Sequence, residues 1–334
     1  MSSNRDKLAQ HGLYYPETFH PLFQSDHQHR FVFASIINEF NAHGLLVENF
    51  DFTIIDALAE EMLRNGQPKN LISEENLSWH PKLQSAALAR FSKWFDVKII
   101  VFLRRQDQWL ESNFTQLVRG GYDGTIASIL DDIRTPDRLD FLEFLGYWAD
   151  RFGIQNLIVK RYLEDGKNSE NLLLGVLGLP SVGWLSAPRR NDSLSLYGVR
   201  FHRALVRHEL NFDYGAFNEL FDQAILDSTP GQSARYFSIE ERMAFLERFT
   251  SINRDAASKY AITMETSSDL FAFDANAHPT QSDDIDVMTD SEFEVIMKRL
   301  VRNIRIRNRS SLDIWKAMLV AACGCVVTRD VVAK

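Results

Sequence analysis

The chain has 334 residues, 45% of them hydrophobic and 25% charged, with a net charge of −8. That length suits one large α/β domain with a substantial core, and the acidic balance disfavours nucleic acid or an anionic membrane as a partner, so an anionic ligand would need a local basic site. The only cysteines are Cys323 and Cys325. This excludes a disulfide-stapled scaffold and fits a reducing cytoplasm, and without a second pair or a nearby His they complete no zinc set.

The opening, Met1 to Gln10, is polar and does not read as a signal peptide. It reads as the tail of a helix over Ser2 to His11, stopped by Gly12, and an extended piece Leu13-Tyr14-Tyr15 follows up to Pro16. Helices are predicted over Asp26 to Ala42 and Asp51 to Asn65. A compact unit comes next: a short strand at Asn70 to Ser73, a helix over Pro81 to Phe95, and a strand over Val97 to Leu103. The last is almost wholly apolar and β-branched, the pattern of a central parallel strand covered on both faces.

A helix follows at once, Gln106 to Val118, ended by Gly120-Gly121. Two more are predicted at Ile126 to Asp132 and Arg138 to Phe152, then a strand at Asn156 to Val159 running into Lys160-Arg161-Tyr162, then a helix from Glu170 to Val176. Alternation of strand and helix predicts an α/β fold with a doubly wound parallel sheet. After Pro180 the pattern is helical: Leu194 to Arg207, Tyr214 to Leu226, Ile239 to Tyr260. Phe273 to Asp290 reads as an acidic linker, followed by a helix from Ser291 to Arg302 and an apolar terminus. The longest late apolar run, Ala317 to Val327, is about half of what a membrane helix needs.

In open parallel sheets ligands gather outside the carboxyl ends of the strands. Beyond Leu103 stands Arg104, and eight residues later Ser112 on the following helix. A guanidinium fork, a hydroxyl and a helix N-terminus suit one phosphate. The string VKIIVFLRRQDQWLESNFTQLV, with Arg and Ser at this spacing across a strand–helix junction, resembles the 3′-phosphate motif of bacterial sulfotransferases. Two more segments share the resemblance. Tyr162 stands where the family has a Tyr or Phe beside adenine, although Lys160-Arg161-Tyr162-Leu163-Glu164 replaces the usual Arg-Pro-Tyr-Glu-Arg, and a core tyrosine is the other reading. Leu71-Ile72-Ser73-Glu74-Glu75-Asn76-Leu77 is similar to the family's Ser-Ser-Glu-Asn-Leu, which aligns Glu75 with its Glu.

The resemblance covers about residues 4 to 272, through Arg190-Asn191-Asp192-Ser193-Leu194, Ser238-Ile239-Glu240-Glu241 and Leu270-Phe271. It implies a domain over 1–272, a linker over 273–290 and a C-terminal segment over 291–334 of unassigned role. It implies a sulfotransferase or P-loop type of sheet with a largely helical second half, in a cytoplasmic enzyme. Its donor would be 3′-phosphoadenosine-5′-phosphosulfate (PAPS), with no metal, and its acceptor a hydroxyl on a carbohydrate or small metabolite. Arg104 and Ser112 would hold the 3′-phosphate, Tyr162 would border adenine, Arg190 would lie near a cofactor phosphate and Glu75 would take the acceptor's proton. For Glu74 and Glu75 a helix cap or a pairing with Arg104 stays open, and His80 is a second candidate base.

The family's Gly-x-x-Lys-[Ser/Thr]-Gly-Thr loop, whose amides cradle the 5′-phosphosulfate, occurs nowhere in the 334 residues. The expected fold therefore lacks its first strand and loop, and the chain enters partway down the first helix. Three readings stay open: the loop lies upstream of Met1 in a longer protein, the product is truncated, or the chain is a nucleotide-binding relative without catalytic activity. Three other features read blandly. His27 and His29 fall on different faces of a polar helix, and the arginine strip from Lys298 to Arg309 reads as a solvated face. Asp284-Ile285-Asp286 matches a glycosyltransferase metal motif in letters but lies in the acidic stretch and not at a strand end.

Overall fold

The computed structural model describes residues 4–16, 53–73, 75–78, 81–130, 136–162, 168–185, 194, 196–207, 236–260, 288–289, 291–295 and 298. It shows a mixed α/β chain, mostly helical, with small parallel strand pairs.

In chain order the first helix is α1 (Arg5–Gln10). Gly12 ends it at φ 73, with its N–H donating to Ala9 O at 2.9 Å; only glycine takes that left-handed backbone without strain. Then come β1 (Leu13–Tyr14), α2 (Thr53–Asn65) and β2 (Lys69–Asn70). Helix α2 buries Ile55, Leu58, Ala59 and Met62, the i, i+3, i+4, i+7 stripe of an amphipathic helix.

Helix α3 (Pro81–Leu88) starts on a proline, whose missing N–H costs nothing at the first position. The long helix expected over Pro81 to Phe95 instead tightens into a 3₁₀ segment at Ala89–Lys93. The chain continues through β3 (Ile99–Leu103), α4 (Gln106–Arg119), α5 (Ile126–Ile129) and α6 (Pro136–Leu139). Helix α7 (Phe141–Phe152) is separate from α6 because Asp140 leaves helical geometry and accepts the Glu143 N–H at 2.9 Å. Last are β4 (Leu157–Arg161), α8 (Asn168–Leu177), α9 (Leu196–Arg207), α10 (Ile239–Glu247) and α11 (Thr250–Lys259). The single helix expected over Ile239 to Tyr260 is thus two. The helices expected at Asp26 to Ala42 and Tyr214 to Leu226 lie outside the described residues.

The chain divides into two compact units that interleave along the sequence. The first comprises 1–105, 132–188 and 248–272, the second 106–131, 189–247 and 273–334. Residues 1–272 are therefore shared between both.

Within the first unit, β1 pairs parallel with β2 and β3 pairs parallel with β4; among the described residues these are two separate two-stranded sheets. The register of β3 and β4 runs from Ile99 opposite Leu157 to Leu103 opposite Arg161. Only Leu103 of β3 is fully buried, and Ile99 to Phe102 are half-buried. The expectation of a strand covered on both faces is corrected here: β-branched apolar residues favour an extended, paired strand, but they do not report how far helices cover it. The main core packs α2, α3, α7 and α11 onto β3 and β4 through Leu58, Leu88, Phe91, Leu145, Trp148 and Val159. A satellite core joins Leu8, Leu13, Tyr15 and Leu71 to Leu177, Leu179 and Trp184.

Within the second unit, α9 and α10 pack on α4. Leu110, Phe114 and Val118 of α4 are buried, as are Phe201, Leu205 and Phe245. No helix among the described residues is long and apolar enough to cross a membrane.

Candidate functional site

Strands β3 and β4 end side by side in the first unit. The ladder goes one step past the last strand residues, because the Tyr162 N–H donates to Leu103 O at 2.7 Å. That bond sets Tyr162 beside the residue that follows Leu103, which is Arg104. The Arg104 guanidinium carbon lies 5.7 Å from the centroid of the Tyr162 ring, a cation–π distance. Both side chains are half-buried. A guanidinium donates hydrogen bonds in its own plane while its face packs on an aromatic ring, so the two functions are compatible in one residue. Lys160 and Arg161, the last residues of β4, are also half-buried. A guanidinium and an aromatic face thus meet at one pair of strand ends, an arrangement suited to a phosphorylated aromatic ligand.

Glu75 sits at a different strand end. It opens a 3₁₀ turn, Glu75–Ser78, five residues after the last residue of β2. That turn is anchored by Arg138, whose Nε donates to Ser78 O at 3.0 Å. Arg138 is itself 7% exposed, so the anchor is buried. Ser112 is half-buried on α4 in the second unit. The structure therefore brings Arg104 and Tyr162 together, places Glu75 after β2, and puts Ser112 on the expected helix. Arg190, His80, Asp192 and Ser193 lie outside the described residues, as do His27, His29, Asp284, Asp286, Cys323 and Cys325.

The second unit holds an arrangement that the sequence reading did not find. Arg242 of α10 is 3% exposed and forms ion pairs with Asp107 and Glu111 of α4, the latter at 2.7 Å. Glu111 Oε1 also accepts the Tyr236 N–H at 2.9 Å. The Tyr236 hydroxyl meets Thr115 Oγ1 at 3.4 Å, and Thr115 in turn donates to Glu111 O at 3.0 Å. Burial on its own would lower the Arg242 pKa, but the carboxylates of Glu111 and Asp107 outweigh it and raise it. Burial pushes the Tyr236 phenol well up, so it stays protonated. Two acids four residues apart, amid Leu110, Phe114 and Val118 on one helix face, were the available signal. Their partner is more than 130 residues away, beyond the reach of local spacing.

In the first unit, Asp56 and Arg90 form a bidentate pair, with Arg90 Nε and Nη2 donating to the two carboxylate oxygens. The hydrogen bonds from Arg90 hold the Asp56 carboxyl below its ordinary pKa.

No family model matches the chain, and no solved structure matches it. The chain is similar to an uncharacterised protein of Archaeoglobus fulgidus, with 26% identity over 185 residues that cover 52% of this chain and 49% of the archaeal protein. The match spans about half the length of that relative.

Proposed function

We propose that the chain binds a 3′-phosphorylated adenine nucleotide and is a PAPS-dependent sulfotransferase. The observation that carries this reading is the contact of Arg104 with Tyr162 at the carboxyl ends of β3 and β4, 5.7 Å between guanidinium carbon and ring centroid. Arg104 would hold the 3′-phosphate and Tyr162 would border adenine, with Ser112 adding a hydroxyl to the phosphate and Arg190 lying near a cofactor phosphate. The doubly wound sheet and a cytoplasmic location belong to the same reading. Glu75 would be the general base. An acceptor hydroxyl attacks sulfur, its proton passes to the Glu75 carboxylate, and the bond from sulfur to the bridging phosphate oxygen breaks, leaving 3′,5′-bisphosphoadenosine. No metal and no covalent enzyme intermediate are needed. A carbohydrate or small metabolite would supply the hydroxyl.

The alternative reading is a relative that binds the nucleotide without turnover.

Calorimetry of the full chain with 3′,5′-bisphosphoadenosine and with AMP tests the shared core of both readings. Tighter binding of the bisphosphate is expected, and equal binding of the two nucleotides would overturn both. Sulfuryl transfer from PAPS to a panel of sugars and small alcohols then separates them. The enzyme reading expects turnover that Glu75→Gln abolishes while nucleotide affinity is kept.

A further inference from the structure

Helix α4 carries Ser112, and the neighbouring face of that helix is held by a set of buried polar attachments. At about 100° per residue, Asp107, Glu111, Phe114, Thr115 and Val118 fall on one stripe, and Ser112 lies about a third of a turn away. Along the stripe, Arg242 grips Asp107 and Glu111, the Tyr236 N–H donates to Glu111 at 2.9 Å, and the Tyr236 ring meets Phe114 edge-on at 4.8 Å. The Arg242 guanidinium also lies 5.7 Å from the Phe237 ring, which stacks on Phe245 of the same helix α10. A roll or slide of α4 would break several of these contacts at once, and inside a buried site each lost partner leaves a charge or dipole uncompensated.

We infer that Arg242 is a positioning residue for nucleotide binding, fixing through Asp107 and Glu111 the roll of α4 and hence the direction of the Ser112 hydroxyl. This rests on the reading in which Ser112 meets the 3′-phosphate. Arg242 touches no ligand in this scheme; it sets specificity for the 3′-phosphate through the neighbouring face of the helix.

The test is a double-mutant cycle on the full chain, with 3′,5′-bisphosphoadenosine and AMP as probes and calorimetry as the readout. Arg242→Lys, which keeps the charge but not the fork, is expected to weaken bisphosphate binding about three- to tenfold, the range of one hydrogen bond. AMP binding should stay within about twofold. In a Ser112→Ala background the Arg242→Lys effect should vanish, because the group it orients is gone. Tyr236→Phe, a milder change in the same latch, serves if Arg242→Lys does not fold, and should act in the same direction. Additive losses in the double variant, or equal losses for both nucleotides, would mean that the latch is structural only and overturn the inference. Wild-type protein that binds the bisphosphate no better than AMP would remove the phosphate reading itself and this inference with it.

Discussion

The Arg104 guanidinium packs over the ring of Tyr162, and the Tyr162 backbone N–H donates to Leu103 O, the carbonyl just before that arginine. One residue thus ties the strand ends twice, through its main chain and through its ring. The backbone bond fixes where the ring stands, and the ring in turn restricts the arginine's rotamers. A group ordered in advance loses less entropy when it takes up a phosphate. Arg104→Ala should weaken 3′,5′-bisphosphoadenosine binding by about 1.5–3 kcal/mol, the range for a hydrogen bond to a charged group. Tyr162→Leu should remove part of the same affinity. In a cycle the two should couple by about 0.5–1 kcal/mol, as an exposed cation–π pair does. Calorimetric affinities of the four proteins check this, and strict additivity would show that ring and guanidinium act separately.

Much of this corner was legible in the sequence. A run of β-branched apolar residues up to Leu103, followed by Arg104, and a second apolar run leading to Tyr162 predicted two strands of a parallel sheet; that the two are neighbours comes from the ladder. The strand boundaries moved by one or two residues because the ladder, which periodicity does not encode, decides where pairing stops. Coverage of β3 was overestimated, since Ile99 to Phe102 are apolar yet only half-buried. Helix breaks were the other weak point. Asp140 interrupts an apolar periodic run because its carboxylate caps the Glu143 N–H, and the same letters read as helix interior when only the period is counted. Of the Arg242 latch only half was legible: Asp107 and Glu111 stand amid apolar residues on one helix face, but their pairing with Arg242 exists only after α10 docks on α4.

That latch gives the largest expected stability change. Arg242→Met removes the cation that pairs with both Asp107 and Glu111, which are 0% and 4% exposed. Removing one partner of a buried ionic group typically costs about 3–5 kcal/mol. The expected result is a strongly lowered urea midpoint. Combining Arg242→Met with Asp107→Leu and Glu111→Met should recover most of the loss, because apolar groups of similar size need no partner. A triple variant no better than the single would indicate that packing at position 242, and not charge, is what the site requires.

The pair of Asp56 with Arg90 yields a pH dependence of definite sign. The hydrogen bonds from Arg90 depress the Asp56 pKa in the folded chain relative to the unfolded one. Between the two values the unfolded state binds more protons, so stability rises with pH there. The contribution is fully present above the ordinary aspartate pKa and fades as pH falls through the depressed folded value. Denaturation midpoints of wild type and Asp56→Asn should therefore differ at neutral pH and converge in strong acid. Midpoints that stay equally far apart at every pH would show that the aspartate acts by shape and not by charge. Salt should narrow the neutral-pH difference, since both side chains are partly exposed, at 25% and 33%.

Neighbouring residues on α3 make opposite predictions. Gln84 is 0% exposed, and neither its Oε1 nor its Nε2 has a hydrogen-bond partner among the described residues. Ser85 is 1% exposed and its hydroxyl donates to Lys82 O at 3.1 Å, one turn back on the same helix. A buried amide without partners costs about 1–3 kcal/mol relative to an apolar side chain of the same shape. Gln84→Met, close in length and volume, should therefore raise the thermal midpoint. Ser85→Ala removes a satisfied hydroxyl and leaves a carbonyl that the helix can already serve, so its effect should be small and destabilising. Thermal unfolding of the two variants beside wild type decides the matter. A loss of stability in Gln84→Met would mean that the amide is held by interactions worth more than its desolvation, and would make that position a polar feature of the core between α3 and α7.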